Sequence, residues 1–274
     1  MFFIKKYSFT LIFIFSFFLL VAYELIASDE LTNYNGFEKP YEKSELKSGS
    51  YFSREETRAI EQDEFENPGM IWVERGSELF DMKMGNKGSS CFSCHNKDNK
   101  PLSGVATSYP KVYKNKLINL EQKINICLKN NMSIEPYLLE SDNLLSLSSF
   151  ITYISKGLPM NVSIEGKAEK YFKRGKELYF ERIGQMNLAC NQCHDNLAGN
   201  YLRAEKISQG HVNGFPSYLM RWEKIASVHR RFQFCNNQAR AEQLKIGHKD
   251  YNALQLYIAW RGNGLLLESP SVRR

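Results

Sequence analysis

The sequence predicts a mostly α-helical protein built as two related halves, and three observations carry that expectation. The pattern Cys-x-x-Cys-His occurs twice, at 91–95 and 190–194. The residues leading into the two copies correspond at a constant offset of 99. Downstream, two mostly apolar runs close the halves at matching places. Composition is consistent with folded domains: 43% of residues are hydrophobic, 24% are charged, and no low-complexity tract interrupts the 274-residue chain. That length accommodates two domains of ordinary size.

The N-terminus begins with Lys5 and Lys6, continues through an apolar stretch from Phe9 to Ala22, and reaches small residues at Ala27 and Ser28. This order of charge, apolar core and small residues is that of a secretory signal peptide, assigned to 1–28. An uncleaved anchor is the alternative, but roughly 15 apolar residues fall short of the ~20 that a helical span needs. Export implies a periplasmic location and a soluble mature protein. Residues 29–56 are polar and aperiodic, and are read as an extended arm. Lys plus Arg exceed Asp plus Glu by six. So small an excess is an ordinary solvated surface with some preference for anions, and it gives no ground for nucleic acid binding.

The repeat begins before the cysteines. Arg75-Gly76-Ser77-Glu78-Leu79-Phe80 precedes the first motif and Arg174-Gly175-Lys176-Glu177-Leu178-Tyr179 the second, with Gly85 and Gly184 also in register. Leu79, Phe80 and Met82 predict a helix over 78–84. The closing runs are Leu145, Leu147, Phe150, Ile151 and Ile154 in the first half, and Leu254, Leu256, Tyr257, Ile258 and Trp260 in the second. Each precedes a glycine, Gly157 or Gly264, the usual helix stop. These apolar and aromatic residues are core. The halves are therefore placed at 57–165 and 166–274.

Six cysteines in an exported chain invite disulfides, but the spacing points to c-type haem. Two thiols bond the vinyl groups of one porphyrin and the adjacent imidazole reaches the iron. Cys91 and Cys94 would attach one haem with His95 as its axial ligand, and Cys190 and Cys193 a second with His194. A zinc ribbon would use paired cysteines without requiring histidine after both. Each half is thus a cytochrome c-like domain.

Cys127 and Cys235 are left over, and occupy matching positions 23 and 22 residues before Phe150 and Tyr257. Two readings stand: a disulfide between them, or thiolate as the second axial ligand of each haem. Met160 competes with Cys127 for that role, whereas its counterpart, Leu267, cannot ligate. Around Cys235 lie His229, Arg230, Arg231, Arg240 and Arg261. Cations favour thiolate, and guanidinium groups bind oxyanions through paired hydrogen bonds.

The series Ser208-Gln209-Gly210, Phe215-Pro216-Ser217-Tyr218, Arg221-Trp222, His229-Arg230-Arg231, Cys235, Arg240-Ala241 and the terminal Val272-Arg273-Arg274 resembles SoxA, the dihaem subunit of the SoxAX cytochromes of thiosulfate oxidation. Ser271 stands where glycine is more typical. The resemblance implies an L-cysteine S-thiosulfotransferase that works with a SoxX subunit. It would join thiosulfate to a cysteine of the carrier SoxYZ and pass two electrons to a c-type cytochrome. By the same likeness Cys235 is the active-site cysteine, found in the family as a persulfide, and Arg231 binds substrate with Arg261 as a second anion contact. Cys127 is then the thiolate ligand of the first haem, a centre that some members have lost. The rival functions are a tetrathionate-forming thiosulfate dehydrogenase and a plain dihaem electron carrier.

Overall fold

Two helices crossing on a glycine form the frame of each half. The computed structural model describes residues 33–34, 37–38, 42–96 and 102–274. The 1–28 signal assignment lies outside them, as do several residues of the 29–56 arm. Chain packing separates Met1–Leu46 from Lys47–Arg274. Within the first unit β1 (Asn33–Tyr34) pairs antiparallel with β2 (Phe37–Glu38).

In the second unit α1 (Glu55–Gln62) is followed by α2 (Met70–Asp81) and the single-turn α3 (Cys91–His95). A hairpin of β3 (Lys111–Tyr113) and β4 (Lys116–Ile118) leads to α4 (Leu120–Met132) and α5 (Asp142–Tyr153). The series then recurs: α6 (Glu169–Phe180), α7 (Cys190–His194), the small hairpin β5 (Tyr201–Leu202) and β6 (Glu205–Lys206), the hairpin β7 (Ser217–Leu219) and β8 (Lys224–Ala226), α8 (Val228–Gln238) and α9 (Lys249–Arg261). The terminal strand β9 (Ser271–Arg273) pairs in parallel with β7, aligning Ser217 with Ser271. The fold is mostly α.

The stretch 47–56, expected to be part of the arm, packs with the helical body, and α1 starts at Glu55. The helix expected over 78–84 begins earlier and stops at Asp81; Met82 has extended backbone and is exposed. Its buried residues Val73, Gly76, Leu79 and Phe80 recur at three and four, the period of one helical face.

Gly76 lies where α2 crosses α5, and a β-carbon there would stand 2.0 Å from the carbonyl oxygen of Ser146. Gly175 repeats the device where α6 crosses α9, with 2.0 Å to the carbonyl oxygen of Ala253. The aromatic pairs correspond too, Phe80 against Phe150 at 5.3 Å and Tyr179 against Tyr257 at 5.2 Å. The first core is built from Leu79, Phe80, Ile124, Leu128, Leu144 and Leu147 among others. The second is aromatic, with Phe172 4.8 Å from Trp260.

Helix ends are fixed locally. Asn119 and Gln122 cap α4 reciprocally, each side chain accepting from the other's backbone N–H, a capping box with asparagine in the leading place. Ser227 accepts from Arg230 N–H at the start of α8. Beyond the closing helices, Gly157 and Gly264 adopt left-handed backbone, as a chain reversal there requires. The loops that follow pair antiparallel across the halves, with Met160 N–H donating to Leu265 O and Leu267 N–H to Leu158 O.

Candidate haem and thiol site

Each Cys-x-x-Cys-His segment is one helical turn, started by its own sequence. Ser90 accepts from Ser93 N–H at 3.1 Å at the head of α3, and Gln192 accepts from Ala189 N–H at 2.7 Å at the head of α7. A turn of helix sets the two thiols three residues apart on one side, with the histidine following.

The spare thiols are delivered by α4 and α8, whose last turns are gripped in the same way. A β-carbon on Gly85 would come within 2.2 Å of Met132 O, and one on Gly184 within 2.1 Å of Ala239 O. Both glycines have positive φ. As a result Cys127 faces the first motif and Cys235 the second. Burial pushes the Cys91 thiol up to about 11, and the charge of Cys127 is the next cause. Burial, followed by Cys235, takes Cys190 up to about 12 and raises Cys193. Among the described residues no disulfide joins Cys127 to Cys235, and the two attend different motifs. Met160 and Leu267 are both buried where the inter-half loops cross.

The second motif shows the clearest preparation for a metal-bound imidazole. Nδ1 of His194 lies 2.7 Å from the carbonyl oxygen of Ser208. A carbonyl only accepts, so Nδ1 carries the proton and the Nε2 lone pair is left for a metal. Burial lowers the His194 pKa and keeps the ring neutral; Arg261 and Arg231 act in the same direction. Gly210, at φ 76°, presses on the ring face. Gln209 accepts from Lys47 N–H at 2.8 Å and anchors the segment. The Ser208-Gln209-Gly210 series is thus the backing plate of one imidazole. A haem fits this arrangement: two thiols, an oriented imidazole and a third thiol in the same neighbourhood. Among the described residues no cluster of three or more His, Cys, Asp or Glu could hold a bare metal ion.

Cys235 is exposed on α8, and Arg231 stands one turn before it, half-buried. The Arg231 guanidinium lies 5.1 Å from the Phe234 ring and that of Arg230 5.4 Å from Trp222, while the two rings meet edge to face at 5.6 Å. Arg221 adds a cation 5.9 Å from Phe234. A guanidinium over an aromatic face leaves its own in-plane N–H donors available, though Arg230 already donates to Gln233 Oε1 at 3.1 Å. The surface beside Cys235 therefore suits an oxyanion.

Arg261, expected as a second anion contact, lies inside the protein. Its side chain is fully buried and ion-paired with Asp195, over the Tyr179 ring at 4.3 Å. Tyr179 also donates to Asp195 Oδ1 at 2.8 Å. The Arg261 charge faces a carboxylate. Asp195 is the residue that sequence reading missed. It follows His194 directly, where the first half has Asn96, and that asymmetry was the available signal.

Comparison with known proteins agrees with this geometry. A family model described as SoxA/TsdA, cytochrome c domain, matches residues 75–160. The chain is therefore a c-type cytochrome of that class, one that carries haem c. The L-cysteine S-thiosulfotransferase subunit SoxA of Paracoccus pantotrophus is 40% identical over 82% of this chain and 78% of its own length. The subunit of the same name from Pseudaminobacter salicylatoxidans is 40% identical over 83% and 80%, and that from Chlorobaculum tepidum 32% identical over 93% and 90%. The crystal structure of SoxXA from P. pantotrophus superposes with a TM-score of 0.80 at 39% identity, covering 84% of this chain and 87% of that one. The chain belongs to the SoxA family.

Proposed function

We propose that this chain is an L-cysteine S-thiosulfotransferase subunit that oxidises thiosulfate onto a carrier cysteine, with Cys235 as the reacting thiol. The observation that carries the reading is the placement of Cys235, exposed on α8 and one turn from Arg231, against the Cys190–His194 motif. Two haem c groups are assigned, one to Cys91, Cys94, His95 and Cys127, the other to Cys190, Cys193, His194 and Cys235. Domain boundaries at 57–165 and 166–274 belong to the same reading.

Arg231 holds the thiosulfate dianion beside Cys235, with Arg221 adding positive charge. The sulfane sulfur of thiosulfate bonds to the sulfur of Cys235 with loss of two electrons. A thiolate of the carrier SoxYZ then attacks that disulfide, takes the sulfane-linked sulfonate and returns Cys235 as thiolate, an exchange governed by the two thiol acidities. Haem, when bound, supplies the one-electron acceptor from which a c-type cytochrome draws. Arg261, held by Asp195, sets the field at His194. SoxX is the proposed partner subunit, since the matching crystal structure is of a SoxXA complex. Export to the periplasm with removal of 1–28 completes the proposal, and N-terminal sequencing of the native protein tests it.

Cys235→Ala is expected to abolish thiosulfate-dependent reduction of cytochrome c in the presence of the carrier while both haems stay attached. Undiminished turnover sinks the proposal. Tetrathionate released by the wild type without any carrier would move the assignment to a thiosulfate dehydrogenase.

A further inference from the structure

The repeat that pairs Cys127 with Cys235 also pairs the residue four before each: Lys123 stands where the second half has Arg231. Both are half-buried on the helix that carries the spare thiol. One turn of helix puts Lys123 and Cys127 on the same side. A second cation joins it from the hairpin. The Lys123 ammonium lies 4.0 Å from the Tyr113 ring and that of Lys111 4.6 Å from the Tyr109 ring. The aromatic faces fix the two ammonium groups without neutralising them.

The two cations feel each other. Burial lowers the pKa of Lys111, and Lys123 lowers it further. Among the described residues no carboxylate forms an ion pair with either lysine. Like charges near one another in a half-buried place repel, which favours an anion between them. Lys111 and Tyr113 are two residues apart on β3, so the ring that holds Lys123 lies on the same side of the strand as Lys111.

We propose that Lys111 and Lys123 form a second oxoanion site, beside Cys127, the first-half counterpart of the Arg231 site beside Cys235. Its ligand class is a small dianionic oxoanion of the sulfate or thiosulfate kind. Lysine is a compact point charge without the planar fork of arginine, so this site discriminates less by shape than the Arg231 site. The proposal rests on the reading of Arg231 as an anion contact only for its counterpart.

Sulfate, which cannot be oxidised here, is the probe. Calorimetric titration of the haem-loaded wild type at constant ionic strength is expected to show two sulfate sites. Lys123→Gln should lose one of them, and Lys111→Gln should bind the same one at least tenfold more weakly. The Lys111 variant keeps the test open should Lys123→Gln fold poorly. Arg231→Ala should lose only the other site. If Arg231→Ala instead keeps both sites, the anion role of Arg231 fails while the first-half site stands. A wild type whose only sulfate disappears in Arg231→Ala overturns the proposal. So does a Lys123→Gln protein that takes up sulfate like the wild type while the potential of its first haem falls without sulfate. That outcome assigns the lysines to the haem's own carboxylates.

Discussion

Gly210 and His194 are packed so closely that a β-carbon on the former would stand 2.8 Å from Cγ of the latter and 3.0 Å from Nδ1. The same ring nitrogen donates to Ser208 O, so the backbone of 208–210 fixes both the tilt and the tautomer of one imidazole. Tautomer and orientation set the basicity of a metal-bound histidine.

Gly210→Ala should therefore drive the ring off the Ser208 carbonyl. The expected result is a shifted low-spin ferric EPR signal of the second haem and a lower yield of attached haem by pyridine haemochrome. Gly199→Ala is the control for backbone strain alone: its φ is 89° but nothing lies within 4 Å of the added carbon. An unchanged EPR signal in Gly210→Ala would remove the packing role.

The two crossing glycines predict matched defects. Gly76→Ala and Gly175→Ala each place a carbon 2.0 Å from a carbonyl oxygen of the facing helix. Overpacking of this kind costs about 1–3 kcal/mol, sometimes more. Urea unfolding should show both variants destabilised by about 3 kcal/mol, and by similar amounts, because the helices must separate in each half.

The C-terminal strand is held by a buried charge. Glu61 accepts from Val272 N–H at 2.9 Å and is ion-paired with Arg273. Removing one partner of a buried pair costs about 3–5 kcal/mol, since the other charge stays uncompensated. Arg273→Ala should show that loss in urea. Arg274→Ala, whose partner Glu205 is 3.8 Å away at the surface, should change stability by less than about 1 kcal/mol.

His229 gives the fold a defined pH dependence. The ring is buried, and Nδ1 accepts from Gly247 N–H at 3.1 Å; burial lowers its pKa from 6.5 to about 4. A depressed histidine is neutral in the folded state, while the unfolded chain protonates it below pH 6.5. Stability is thus present above pH 6.5 and lost as pH falls toward 4, by about 3 kcal/mol in total. Glu121, raised to about 7 by burial, works oppositely, with stability lost as pH rises through 7. The difference between wild type and His229→Gln isolates the histidine. Parallel unfolding curves for the two from pH 7 to 4 would show that His229 carries none of this dependence.

Much of the site was legible because its signals are local. The two Cys-x-x-Cys-His turns and the one-turn spacing of Arg231 and Cys235 sit within single helices. The repeat put Cys127 and Cys235 at matching positions, one in each half, and left a disulfide between them as the alternative. What escaped is long-range. Asp195 meets Arg261 across 66 positions, and no periodicity reports such a pair. The start of α2 at Met70 was missed because a glycine inside a helix is unfavourable in isolation; only the crossing with α5 explains Gly76. The parallel pairing of β7 with β9 joins segments too short to carry a pattern of their own.

The antiparallel contact between the loops after α5 and α9 has a consequence for what can be dispensed with. Those backbone bonds, with Gln122 donating to Gly247 O and Asn252 to Gln122, join the two helical series within one compact unit. The N-terminal series of helices therefore braces the C-terminal one through contacts that depend on no cofactor. Cutting the chain near 165 would strand hydrogen-bonding edges on both fragments. Neither fragment is then a miniature of the whole.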